Sequence, residues 1–261
     1  MKVATTKSNF LQIVCISISV GLDRGMRSVG QDGEKRGFTL VELLVVIAII
    51  AVLATVAVMG SSRAIAAGKQ AACASNLRSI GIGMRLYADD HHGVLPGTTH
   101  GGDFETSWIY TLEPYLGDFD ETRICPGDPK GQERLAQRGT SYVLNSYLFV
   151  PRTDPSGDPF GPALNRLNQI PEPTRTAMAF ICSDRTGTGP GNDHTHSGEW
   201  SSWGAVTRDI SPGRFGGDGD EMGSTNILYV DGSIVSRKAV ELKRLIARGV
   251  NFAKPPGVEG L

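Results

Sequence analysis

No Gly-x-Ser-x-Gly elbow, no His-Glu-x-x-His pair and no phosphate-binding loop ending in Gly-Lys-Ser/Thr occurs in the 261 residues. An enzymatic reading therefore lacks a nucleophile and a base at any recommending spacing. Cysteine is scarce: Cys15, Cys73, Cys125 and Cys182 are the four, and no two form a Cys-x-x-Cys pair. That excludes a zinc ribbon or a thioredoxin-type motif. Neither sign of charge dominates, with 26 Lys plus Arg against 27 Asp plus Glu. No global basic field is available for nucleic acid, and there is no acidic tail. No internal repeat is evident. What the chain has in excess is glycine, 33 residues against a usual share of about 7%. It gathers in the second half, which reads as short strands joined by long loops.

The most informative stretch is "RGFTLVELLVVIAIIAVLATVAVM", residues 36 to 59. From Phe38 to Met59 its 22 residues carry one charge, Glu42. A helix of that length spans about 33 Å, enough for a hydrocarbon core of about 30 Å. A secretory signal would place a small-residue cleavage site after its apolar core. Here the distinctive junction, Lys35-Arg36-Gly37-Phe38, comes before it, so cleavage there leaves the hydrophobic helix on the mature chain.

Gly37-Phe38-Thr39-Leu40-Val41-Glu42 and the aliphatic run behind it resemble the class III signal of type IV prepilins and type II secretion pseudopilins. The resemblance implies cleavage after Gly37 by a membrane-embedded prepilin peptidase and methylation of the new amine on Phe38. It also implies an assembly role for Glu42, fifth in the mature chain, opposite a neighbouring subunit's N-terminal amine. The other partners implied are further pilin-like subunits, the inner-membrane assembly machinery and the lipid bilayer. Residues 1 to 37 are then the leader; Met26 opens a compact polar one, and residues 1 to 25 read as an over-extended start.

Helical periodicity continues past the apolar run. Cys73, Leu77, Ile80, Met84 and Tyr87 recur in steps of four and three, the seam of an amphipathic helix. The pattern predicts one helix from about Thr39 to about Asp89: a transmembrane part over 38–59, a soft spot at Gly60-Ser61-Ser62 and an amphipathic continuation over 60–90. Gly81 and Gly83 weaken it locally, each by about 1 kcal/mol relative to Ala. His91 and His92 suit the helix end, where positive charge is favourable.

Residues 73 to 97, "CASNLRSIGIGMRLYADDHHGVLPG", resemble a multi-copy prepilin-like family of planctomycete-type bacteria, as do "ICPGD" (124–128), "SYVLN" (141–145) and "NILYVDGSI" (226–234). One departure is Glu221, which stands where that family usually has a histidine ten residues before the Asp of its Asp-Gly pair. The family positions include Cys73 and Cys125, which makes them the expected disulfide, permitted if the domain lies outside the cytoplasm. Cys182, ending an apolar strand, reads as a buried free thiol.

The exported globular part, 91–261, reads as α+β. "SYVLNSYLFV" (141–150) and "TAMAFIC" (176–182) have strand character. "NILYV-DG-SIVSR" reads as a hairpin with a two-residue type I′ turn at Asp231-Gly232. "RKAVELKRLIARG" (237–249) reads as a short helix with Leu242, Leu245 and Ile246 on one side and Gly249 at its C-cap. Stretches 153–162, 186–193 and 211–224 read as loops. A long N-terminal helix packed on a small C-terminal antiparallel sheet is the pilin-like architecture that the resemblance implies.

Two loops offer chemistry. Asp218, Asp220 and Glu221 in "FGGDGDEMGSTN" (215–226) supply hard oxygens at close spacing in a glycine-rich loop, which suits calcium; major pseudopilins bind calcium in a C-terminal loop. His194 and His196 in "DHTH" suit one face of a strand, but no third metal ligand can be placed, and surface-loop histidines are the expectation. The sequence thus points to a non-enzymatic prepilin-like subunit of a type IV pilus or type II secretion pseudopilus. Its expected location is the inner membrane, single-pass, with the C-terminal domain outside the cytoplasm or on a surface filament. The alternative is a single-pass membrane-anchored extracellular domain that binds or hydrolyses a ligand through its His/Asp-rich loops.

Overall fold

A computed structural model of the chain describes residues 38–99, 104–150, 164–217 and 220–257. For 56–63 and for Thr106 it describes the backbone alone. The leader, Gly37, Cys15, the 153–162 loop and Asp218 lie outside the described residues. The chain divides into two compact units, Met1–Val52 and Leu53–Leu261. Helix α1 runs from Leu40 to Asp90, and its backbone stays helical through Gly60-Ser61-Ser62. In the first unit its described side chains are exposed on every face, including Leu44, Ile47 and Ile50. Among the described residues no helix is long and apolar enough to cross a membrane. The expected span over 38–59 includes Val56 to Met59, whose side chains are not among those described.

In the second unit the seam is as the spacing predicts. Cys73, Leu77, Ile80 and Met84 are fully buried, Ala88 extends the row, and Tyr87 is half-buried. Burial of each Leu, Ile or Met contributes about 2 kcal/mol. Gly81 and Gly83 have a packing role that propensity hides. A Cβ on Gly81 would stand 3.0 Å from Leu228 Cδ1, and one on Gly83 would stand 3.1 Å from Leu116 Cδ2. The helix trades intrinsic stability for close approach of its neighbours. It ends with Gly93 at φ +83°, whose N–H donates to the Ala88 carbonyl; the His91 ring stacks on Tyr87.

The sheet has four antiparallel strands in sequential order: β1 (Tyr142–Leu144), β2 (Ala177–Ile181), β3 (Ser224–Tyr229) and β4 (Ile234–Lys238). Leu144, Ile181 and Leu228 face the α1 seam; Val143, Phe180 and Ile227 face a second core with Trp200, Val206, Leu242 and Ile246. A bulge between Ala177 and Ala179 shifts β2's alternation, so Met178 and Ala179 both enter the first core.

Between α1 and the sheet lie the single-turn helices α2 (Trp108–Thr111) and α3 (Phe119–Thr122) and the longer α4 (Gly131–Ala136). The strand expected over 141–150 stops at Leu144. Asn145 caps α5 (Ser146–Phe149) instead, its side chain accepting from Tyr147 N. Helix α6 (Trp203–Asp209) falls between β2 and β3. Four residues separate β3 from β4, and the turn enclosed by the Tyr229–Ser233 pair has three, Val230-Asp231-Gly232, rather than two. Tyr229 N donates to Ser233 O, Gly232 N to Tyr229 O, and only Gly232 has positive φ, the pattern of a turn followed by a left-handed glycine. Helix α7 (Ala239–Ala247) ends as expected at Gly249, φ +74°. Gly249 N donates to Ile246 O and Val250 N to Leu245 O, both bonds of a Schellman motif.

Candidate processing and assembly site

Of the expected processing and assembly residues, Phe38 and Glu42 lie at the start of α1, and Gly37 is outside the described residues. Phe38 is exposed and precedes the helix. Thr39 Oγ1 accepts from Glu42 N at 3.2 Å, while Glu42 Oε2 accepts from Thr39 N at 2.8 Å and from Thr39 Oγ1 at 2.9 Å. This reciprocal pair is a capping box, with Thr39 as N-cap and Glu42 three residues on. It satisfies two backbone donors that a helix start leaves without partners and puts a carboxylate at the positive end of the helix dipole. Thr-Leu-Val-Glu carries this signal openly, yet reading Glu42 only as an intruder in an apolar run passes it by. In the single chain Glu42 is already engaged, and locally.

A family model described as the prokaryotic N-terminal methylation motif matches residues 34–58. The chain carries a prepilin-type N-terminal methylation motif. Families with this motif are structural, pilin-like subunits. The match covers the Lys35-Arg36-Gly37-Phe38 junction, Glu42 and nearly all of the apolar run. Comparison with curated proteins and with solved structures gives no match.

Downstream of the motif, the quoted segments converge on the first core. Cys73 on α1 and Cys125 in the loop after α3 are both buried in the first core, and no S–S bond joins them. Tyr142 donates its hydroxyl to Cys73 Sγ at 3.5 Å. The influence of Cys125 holds the Cys73 thiol below its ordinary range; Cys73 and burial push Cys125 up. Asn76 ties the same loop to α1 by donating to Glu121 O and Ile124 O. Cys182 is a buried free thiol, pushed up to about 12 by burial.

The rest of "ICPGD" and "SYVLN" is structural in ways the sequence does not announce. Gly127 lies under the Phe215 ring, where a Cβ would come within 2.5 Å of Cε1. Asp128 and Arg134 form an ion pair at 2.8 Å with both side chains wholly buried. Asp128 also accepts from Ser141 Oγ and Lys130 N, and Arg134 donates to Gly187 O, Ser183 O and Thr186 Oγ1. Asn145 donates to Ala177 O and Ala253 O and accepts from Ser197 Oγ.

Of the "DHTH" histidines, His196 fits the surface-loop expectation and His194 departs from it. His194 is nearly buried, its Nδ1 2.8 Å from Asp193 Oδ1. Asp193 is fully buried and also accepts from Ser107 Oγ and from Thr99 N and Oγ1. His196 is exposed, its ring 5.5 Å from that of His194. Both line a cavity of about 330 Å³ with Asp209. Among the described residues no group of three His, Cys, Asp or Glu could hold a metal. In the acidic loop, Asp220 pairs with Arg185 at 3.1 Å and Glu221 with Lys243 at 2.6 Å. Burial raises the Asp220 carboxyl above its ordinary range.

Proposed function

We propose that this chain is a prepilin-like structural subunit, not an enzyme, that is cleaved after Gly37, N-methylated on Phe38 and assembled into a type IV pilus or a type II secretion pseudopilus. The observation that carries this reading is the methylation motif over 34–58 with Glu42 exposed at the head of α1. Residues 38–59 anchor the mature chain in the inner membrane, and the domain from 91 onward lies outside the cytoplasm. Packing of the α1 seam on the antiparallel sheet supports a pilin-like architecture. A neighbouring subunit's Phe38 amine meets Glu42 inside the fibre, and each charge removes the other's cost of burial. In that oxidising location Cys73 and Cys125 join as a disulfide.

Glu42 variants test the assembly role. Gln can complete a capping box as Glu does but carries no charge, whereas Ala does neither. Glu42→Ala and Glu42→Gln are both expected to insert and to be cleaved, as read by N-terminal mass, and both to lose filament or secretion function. Wild-type assembly by Glu42→Gln would refute the charge role and leave capping as the reason for the residue. Bulky replacements of Gly37 are expected to block cleavage.

A further inference from the structure

The C-terminal stretch is electrostatically unlike the rest of a nearly neutral chain. Residues 237–254 hold Arg237, Lys238, Lys243, Arg244, Arg248 and Lys254 against one carboxylate, Glu241. Within this basic region a recess of about 270 Å³ is lined by Thr174, Arg175, Tyr229, Arg237, Phe252 and Lys254 among others, with no carboxylate in its wall. Glu172 already holds Arg175 at 2.6 Å. Arg237 and Lys254 have no side-chain partner among the described residues. The aromatic lining is fixed from behind: Phe252 packs on Trp200 with ring centres 5.3 Å apart and on Phe180 at 6.2 Å.

We propose that this recess binds one carboxylate-bearing sugar unit of an acidic polysaccharide. Three features select that chemistry. Two cations without a side-chain partner among the described residues would receive a carboxylate, Arg237 as a planar fork and Lys254 as a point charge. The partly exposed Phe252 ring, held from behind by Trp200 and Phe180, offers a rigid apolar surface suited to the C–H face of a sugar ring, and the buried Tyr229 closes the floor. The volume lies below the roughly 300–1,000 Å³ of sites for drug-sized ligands, so it admits a unit of monosaccharide size, and a DNA duplex cannot enter it. The surrounding lysines and arginines would raise the local concentration of a polyanion and speed its arrival. This binding is independent of Glu42 and of filament assembly.

The test uses the full mature chain in non-ionic detergent, with polygalacturonate, neutral dextran and a 20-base-pair DNA duplex as probes. Polygalacturonate is expected to bind, to weaken steeply between about 50 and 200 mM salt, and to bind at least tenfold more weakly to Arg237→Glu/Lys254→Glu. Lys69→Glu/Arg78→Glu makes the same charge change on exposed positions of α1 and is expected to leave binding unchanged. Equal loss in both double variants would overturn the recess in favour of diffuse charge attraction. Duplex DNA binding as tightly as polygalacturonate, or dextran doing so, would overturn the ligand class.

Discussion

Oxidation of the Cys73–Cys125 pair is the perturbation whose size the structure defines best. Both cysteines are buried in the first core, and each is a neighbour that shifts the other's titration. Each thiol loses a proton and one electron to a disulfide-bearing oxidant, which leaves as a dithiol. The bond would close a loop of 52 sequence steps that contains the end of α1, α2 and α3. Chain-entropy arithmetic for such a loop gives about 4 kcal/mol. In a domain near 200 residues that corresponds to a rise of roughly 8–16 °C in melting temperature. The assay purifies the mature chain from membranes without reductant, unfolds it in urea and alkylates it before mass analysis. One alkylated cysteine, Cys182, is the expected result, and added reductant should lower the melting temperature by the stated amount. Cys73→Ala/Cys125→Ala should melt at the same temperature with and without reductant. Three alkylated cysteines in unreduced protein would refute the pairing.

Arg134→Met is expected to cost about 3–5 kcal/mol in urea unfolding, because it leaves Asp128 buried and charged; a loss under 1 kcal/mol would mean water or another cation reaches Asp128. Cys182 should resist alkylation at pH 8 until the chain unfolds. Its thiol titrates near 9 unfolded and about 12 folded, so the folded state keeps a proton that the unfolded state has lost. Stability should therefore fall as pH rises from 9 towards 12, and Cys182→Ala should flatten that decline; an unchanged profile would refute it. If Asp218, Asp220 and Glu221 bind calcium, the ion competes with Arg185 for Asp220. Arg185→Ala should then tighten calcium binding in calorimetry, and absence of heat at millimolar calcium in both proteins would end the calcium proposal.

The parts of the fold legible in the sequence are those set by local periodicity and local chemistry. The α1 seam follows a 3.6-residue repeat, and the Gly249 cap follows from one residue's freedom to take positive φ. Strand β1 was less legible, since "SYVLNSYLFV" is apolar on both sides of Asn145-Ser146 and only the buried contacts of Asn145 decide that the chain turns there. The hairpin was visible, but its loop length depends on whether Asp231 takes positive φ, and its side chain instead accepts from Ser233 N and Oγ. Asp128–Arg134 and Asp193–His194 were hidden for a different reason. A buried polar group looks like a surface one in sequence, and what distinguishes it is a set of partners that can lie scores of residues away.

Glu42 joins the two kinds of legibility. Its departure from an apolar run marks the segment proposed to act in assembly, while its spacing from Thr39 marks a helix start, and both follow from one carboxylate. In the isolated chain the carboxylate takes two hydrogen bonds from Thr39, so the helix is capped before any partner arrives. A neighbour's amine need not displace them, because an ionised carboxylate has about four acceptor positions. Assembly can then add an ion pair to a capped helix instead of exchanging one contact for another. The second interaction becomes worth most where lipid or packed helices exclude water, since pairing there offsets a charge cost that the cap alone leaves in place. Under the proposed function, a residue that helps to start its helix alone and would be neutralised only in company would give the subunit a reason to assemble in one register.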